Sequence, residues 1–317
     1  MVRWPLLLAS LLYLLVAASA CAPPALGAVE TPDALTPTPT ATGTATAKPT
    51  VTPPPPTATP PPPTPTATLL PTQTPSPTPL PPLIAIDPGH GGRDLGAVRV
   101  HSDGSLAFTE SDVNLAIALR VRDALEDRGY RVLLTRDGDY GLNPEDLDVN
   151  GDGAVDHLDD LQARIDMVND AGADILISIH QNSFVWPNGR RAPDVGGTVT
   201  FYNAYREFAD HNKRLARYIQ QELVAAITEL GHDVQDRGVQ VDHQLESDPE
   251  GGRFLIVLGP ESARTARASQ MPGVLSETLF LTHDIEAELL QDPQALDAMA
   301  EAYARAVELY FQNEATP

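Results

Sequence analysis

The stretch 22–82 decides which part of this 317-residue chain can fold. It holds 21 of the 31 prolines and 17 threonines, and its only charged residues are Glu30, Asp33 and Lys48. Proline fixes φ and removes a backbone donor, so runs such as 53–56 and 60–63 exclude helix and sheet interiors. The segment also has too few large apolar side chains to offset the entropy of ordering a core. It reads as a disordered stalk of extended polyproline II character. At roughly 3.1 Å per residue its reach is at most about 190 Å. A folded domain must therefore lie in 83–313, a length ample for one hydrophobic core.

The residues before the stalk read as an address. Met1-Val2-Arg3 is a short positive region, and residues 4–18 are almost unbroken apolar sequence. Such a run is short for a spanning helix, which needs about 20 residues, and suits a secretory signal. Ala18-Ser19-Ala20-Cys21 resembles a bacterial lipobox, in which the cysteine is lipidated and becomes the mature N-terminus. Residues 1–21 are thus expected to be a lipoprotein-type signal, with Cys21 as the lipidation site and a membrane anchor. If Cys21 is not lipidated, the same region implies simple secretion. Cys21 is the chain's single cysteine, which excludes a disulfide framework and a cysteine-based zinc site.

Charge narrows the function classes. Lys and Arg number 21 against 43 Asp and Glu, a net charge of −22. Residues 1–82 sum to zero, so the whole excess lies on the domain. That argues against nucleic acid, which needs a basic surface, and against a polybasic membrane-binding face.

Within the domain, strand and helix patterns alternate. Apolar runs at 83–86, 131–135, 174–179, 196–202, 254–258 and 274–277 predict strands. Helices are expected over 111–128, 159–170, 206–229 and 293–312, the first with apolar residues at Val113, Ile117, Val121 and Leu125, Thr109 as cap and Gly129 at its end. The alternation predicts an α/β fold: a single open, mostly parallel twisted sheet of about six strands flanked by helices. In such sheets ligands bind outside the carboxyl ends of the strands. His90 lies in a glycine-rich loop after a strand, His180 directly follows one, Glu277 ends one, and Glu110 opens the first helix, so all four can converge on one edge. Two His and one Glu can hold a catalytic zinc with a position left for water, and a second Glu can act as general base. The other histidines, at 101, 157, 211, 232, 243 and 283, show no paired spacing and read as surface residues.

Several ordered motifs extend this reading. They are Ile84-Ala85-Ile86-Asp87-Pro88-Gly89-His90-Gly91-Gly92, Glu110 followed by Asp112 to Ala116, Ser178-Ile179-His180-Gln181-Asn182-Ser183, Asp236-Arg237-Gly238-Val239 and Pro272-Gly273-Val274-Leu275-Ser276-Glu277. Residues 84–312 thereby resemble the zinc-dependent N-acetylmuramoyl-L-alanine amidases of the Amidase_3 type, which cleave bacterial peptidoglycan. The resemblance implies zinc held by His90, Glu110 and His180, with Glu277 taking the water proton and returning it to the L-alanine nitrogen. Gln181, Asn182 and Arg237 are the implied substrate contacts, peptidoglycan the partner, and an activator protein a further open partner. Leu279 stands where the family carries glycine, which predicts a side chain near the groove. Residues 259–270 read as an insertion, expected to form a lid or regulatory segment. A non-catalytic wall-binding module and a zinc hydrolase of another amide are the alternative readings.

A second metal is expected at 148–159. Asp148, Asn150, Asp152, Asp156 and Asp159 fall at loop positions 1, 3, 5, 9 and 12 of an EF-hand register, with Gly153 at position 6 and the Ala154 carbonyl at 7. An Asp at position 12 makes the loop similar to a dockerin-type calcium loop. One such loop implies a structural Ca²⁺ and not a cohesin partner.

Overall fold

The computed structural model describes residues 80–242 and 254–314. The signal region with Cys21, and the stalk up to residue 79, lie outside the described residues. No helix among the described residues is long and apolar enough to cross a membrane.

Among the described residues, eight strands and five helices follow in the order β1 (Leu83–Pro88), β2 (Val98–Val100), β3 (Leu106–Thr109), α1 (Glu110–Glu126), β4 (Arg131–Leu134), α2 (His157–Ala171), β5 (Ile175–Asn182), β6 (Thr198–Tyr202), α3 (Ala209–Glu229), β7 (Asp236–Val241), β8 (Gly273–Phe280), α4 (Asp284–Leu289) and α5 (Pro293–Glu314). Six strands form one sheet in the order β4-β1-β5-β8-β6-β7, and β2-β3 make a separate hairpin. β4, β1, β5 and β8 run parallel, β6 is antiparallel to β8, and β7 is parallel to β6. The α/β class and the mostly parallel six-stranded sheet agree with the sequence reading.

The sheet is buried because both faces are covered. Ile84, Ile86, Ile175, Ile177 and Ile179 are sealed against α1, α3 and α5, in a core that ends at Tyr303 and Tyr310. Each such side chain contributes about 2 kcal/mol on burial. Ala85, Leu176, Phe201 and Leu275 face the other way, onto Ile165 and Val168 of α2 and onto Ile256, Val257 and Leu258.

Local chemistry sets the helix ends. Thr109 accepts from Asp112 N, and the Asp112 carboxylate accepts in return from the Thr109 backbone, a complete capping box. Asp156 and Asp159 do the same for α2, which ends at Gly172 in the left-handed conformation.

Three expectations change. Residues 254–258 are turns and not a strand, because their apolar side chains plug the α2 face of the sheet instead of pairing at its edge. The sheet's sixth strand is β7, whose half-exposed side chains give no strong apolar run. Residues 259–270 form no lid over the active edge. Arg206 donates to the carbonyls of Gly259 and Ser269, Asn169 to Ala268, and Gln162 to Arg267, which fastens the segment to α2 and the start of α3.

Candidate functional site

The chain passes from β1 through α1 to β4 on one side, then through α2 to β5 on the other side of β1. That reversal of direction makes a crevice at the carboxyl ends of β1 and β5, where open α/β sheets place ligands. His90 follows β1, and His180 lies near the carboxyl end of β5. Glu110 is the first residue of α1, and Glu277 in β8 is the register partner of His180. The structure brings all four sequence-predicted residues to one edge.

The ligand atoms of His90, Glu110 and His180 lie within 4.8 Å of one another. Glu110 Oε1 is 3.1 Å from His90 Nε2 and 3.0 Å from His180 Nδ1. The two rings meet edge to face with centroids 4.8 Å apart. Glu110 is buried and also accepts from the backbone of Ala97 and Gln181. Burial alone would raise its pKa, but hydrogen bonds from His180 and His90 and their charge hold it far below the usual carboxylate range. Burial likewise disfavours charge on His90, yet hydrogen bonds to Asp94 and Glu110 outweigh it and raise the imidazole to about 10. The anionic setting therefore favours a cation at this point, whether a proton or a metal. Asp94 Oδ2 sits 2.7 Å from His90 Nδ1, which leaves Nε2 facing the cluster in the manner of a metal-orienting carboxylate.

Glu277 differs from Glu110 in having no such partner. Its Oε2 is sealed from solvent and unbonded, although the residue as a whole is only half-buried. Burial first, and the Glu110 carboxylate second, push its pKa up to about 8. A carboxylate with that proton affinity is suited to general acid–base work.

The loop that carries His90 is held from beneath. His90 adopts φ 64°, a left-handed conformation uncommon for a side-chain-bearing residue and one that the surroundings must enforce. Arg164 Nη2 donates to His90 O at 2.7 Å, while Arg136 Nη2 and Asn114 Nδ2 donate to Gly89 O. Arg164 is itself paired with buried Asp87 at 2.7 Å. A Cβ at Gly89 would stand 2.0 Å from His180 Nε2, so the approach of this loop to His180 of β5 requires glycine there.

Two imidazoles and one carboxylate from three separate segments fit a catalytic zinc centre with a fourth position for water or substrate. The sealed, unpartnered Glu277 oxygen is the group such a centre needs beside it.

The implied substrate contacts are placed differently. Gln181 and Asn182 are buried. Gln181 Oε1 accepts from Leu279 N, and Asn182 Oδ1 accepts from Ser183 N, so both side chains brace the strand ends. Arg237 is half-buried, donates from Nε to Gly196 O and stacks over Phe280. Leu279 is fully buried in the core on the α1-α3-α5 face and presents no side chain to the groove.

In the 148–159 loop the acidic groups accept from the loop's own amides. Asp148 takes Gly151 and Gly153, Asp152 takes Ala154, and Asp159 takes Val149, Asn150 and Asp156. The Asn150 and Ala154 positions lie between them on the exposed turn. Sequence reasoning also missed a feature. His232 and His283, taken for surface residues, both reach buried Glu286. The only sequence signal was the i, i+3 spacing of His283 and Glu286.

Residues 84–309 match the family described as N-acetylmuramoyl-L-alanine amidase. The germination-specific N-acetylmuramoyl-L-alanine amidase of Bacillus subtilis is 31% identical over 235 residues, covering 74% of this chain and 82% of its own. Among solved structures, the amidase AmiC2 of Nostoc punctiforme shares 29% identity with TM-score 0.51, covering 73% of this chain and 97% of its own. The CwlD amidase of Clostridioides difficile, solved in complex with the GerS lipoprotein, shares 25% identity with TM-score 0.54, covering 73% and 99%.

Proposed function

The chain belongs to the N-acetylmuramoyl-L-alanine amidase family, and from that premise we propose how its site works: a zinc ion held by His90, Glu110 and His180, with Glu277 as the proton carrier. The reaction is hydrolysis of the amide between the lactyl group of N-acetylmuramic acid and the L-alanine of the stem peptide in bacterial peptidoglycan. When bound, zinc supplies Lewis-acid chemistry, polarising the scissile carbonyl and acidifying the attacking water. Glu277 takes the proton of that water at its unpartnered oxygen and delivers it to the departing L-alanine nitrogen. Asp94 orients the His90 imidazole, and the Arg164 and Arg136 bonds keep the His90 loop in its left-handed turn. The carrying observation is the meeting of His90, Glu110 and His180 beside a sealed, unpartnered Glu277 oxygen.

The finer assignments rest on the same reading. Arg237, half-buried at the edge of the sheet, is the side chain we assign to substrate, while Gln181 and Asn182 shape the floor. Export and a lipid anchor at Cys21 rest on the sequence of residues 1–21. An activator is a reasonable partner because CwlD was solved with GerS. A structural Ca²⁺ at 148–159 is supported by the register of its oxygen ligands and by left-handed Gly151 and Gly153, with φ 77° and 88°. A non-catalytic wall-binding module would need a ligand or Glu277 to be missing, and none is.

The test is mass spectrometry of the products from purified peptidoglycan treated with the full chain and Zn²⁺, beside Glu277→Gln. Stem peptides beginning at L-alanine are expected from the wild type alone. Equal release by the variant would remove Glu277 from the mechanism, and cleavage at another bond would remove the substrate assignment.

A further inference from the structure

A second cluster with the same donor chemistry lies on the same sheet edge, beyond β8. β6 and β7 run against β8, so their amino ends meet its carboxyl end. Two segments converge there. His232 lies in the turn before β7, His283 caps α4, and Glu286 sits in the first turn of α4. Ligand atoms of the three side chains lie within 4.8 Å of one another.

The cluster is pre-organised around its carboxylate. Glu286 is 1% exposed. Its Oε1 accepts from Gly197 N at 2.8 Å and its Oε2 from Phe280 N at 2.7 Å. Two backbone amides thus fix the group while each oxygen keeps a lone pair. His232 Nε2 stands 3.2 Å from Oε1. The His283 ring is located by its Nδ1, which accepts the Glu286 N–H at 3.2 Å, and lies 5.6 Å from the His232 ring. Both imidazoles are partly exposed, while the carboxylate between them is buried. Gly196 forms the wall: a Cβ there would be 2.2 Å from Glu286 Oε1 and 2.9 Å from His283 Cδ2. Arg237 is the neighbouring cation; its Nε donates to Gly196 O and its guanidinium lies over the Phe280 ring.

We propose that His232, His283 and Glu286 form a second divalent-metal site, separate from His90, Glu110 and His180. Two imidazoles and a single carboxylate select a borderline cation such as Zn²⁺ over Ca²⁺ or Mg²⁺, which take all-oxygen shells. Three protein ligands leave one position for water. An ion there cross-links the turn before β7 and the start of α4.

The probe is Zn²⁺ itself, bound by the full chain with any affinity tag removed, stripped by chelator and dialysed. Bound metal is counted by mass spectrometry of the digested protein. Wild type is expected to hold two equivalents and His180→Ala one. The pair His232→Gln with His283→Asn is also expected to hold one. Asn keeps a capping oxygen for α4 and Gln keeps a donor for Glu286, so the fold survives, which circular dichroism verifies. The three changes together are expected to hold none. One equivalent in the wild type overturns the proposal. So does a second equivalent that survives His232→Gln with His283→Asn. Co²⁺ gives an independent readout, since its visible absorption should lose one of two components in the paired variant.

Discussion

Asp87→Asn tests whether the buried frame beneath the His90 loop is what holds it. Asp87 is 2% exposed and its partner Arg164 3%. The carboxylate also accepts from Thr135 Oγ1 and Ser178 Oγ. Burial pushes its pKa up, but the Arg164 charge and these hydrogen bonds win, and the group is held at about 2 against an ordinary 3.8. That gap corresponds to about 2 kcal/mol of stability. Breaking a buried pair from one side costs about 3–5 kcal/mol, because the remaining charge is left uncompensated. Arg164 keeps Asp160 and the carbonyls of Pro88 and His90, which places the loss in the lower half of that range.

For a domain of this size each kcal/mol moves Tm by about 2–4 °C, so the fall at pH 7 should be about 5–15 °C by calorimetry. The pH dependence has a fixed sign. A carboxyl with a lowered folded pKa stabilises above its unfolded value and loses that contribution as pH falls through its folded value. The gap between wild type and variant should therefore be constant above about pH 5 and narrow towards pH 2. A shift below 2 °C at pH 7, or a gap equally wide at pH 6 and pH 2.5, would refute the argument. Full additivity with Arg164→Met would refute it as well, since residues in one ion pair must couple.

Gly89→Ala should abolish zinc retention at the His90, Glu110 and His180 set, and with it amide hydrolysis, while leaving the circular dichroism spectrum unchanged, because the new Cβ meets His180 Nε2 at 2.0 Å. Asp94→Asn should weaken zinc binding about 10- to 100-fold by titration calorimetry, the usual effect of removing a carboxylate that orients a metal-bound imidazole. For the 148–159 loop, EDTA should lower Tm and Ca²⁺ alone should restore part of it. No rise in Tm on adding Ca²⁺ to the stripped chain counts against an ion there.

The parts legible in the sequence were those whose signal is local. The apolar runs of β1 and β5 need only hydrophobicity, and the Thr109 cap needs only four residues. His180 was found because it directly follows such a run, and His90 because it lies in the glycine-rich loop after one. Residues 254–258 failed because an apolar run says that a segment is buried, not whether it pairs or plugs. β7 failed for the opposite reason: an edge strand with half-exposed side chains carries little apolar signal. Leu279 was misplaced because the register of β8 shifts against β5 between His180 and Asn182, and no sequence pattern announces a bulge. Gln181 and Asn182 are polar and adjacent to a ligand, yet their partners, Leu279 N and Ser183 N, show that polarity beside a site can be architecture.

The reversed strands explain why the second cluster escaped notice. The rule that sites gather at carboxyl ends holds for β1, β5 and β8, and it points to residues that come after strands. Because β6 and β7 run the other way, the same physical edge is reached by residues that precede them: Gly196 before β6 and His232 before β7. A search confined to the residues just after each strand finds His90 and His180 and passes over His232. Asking instead which residues each strand end brings to one edge of the sheet, whichever its direction, recovers both groups. It also makes sense of Arg237, the second residue of β7. Its Nε bond to Gly196 O and its stacking on Phe280 tie the reversed pair to β8 at the point where Glu277 and Glu286 face opposite tasks, one unpartnered and one fixed by two amides.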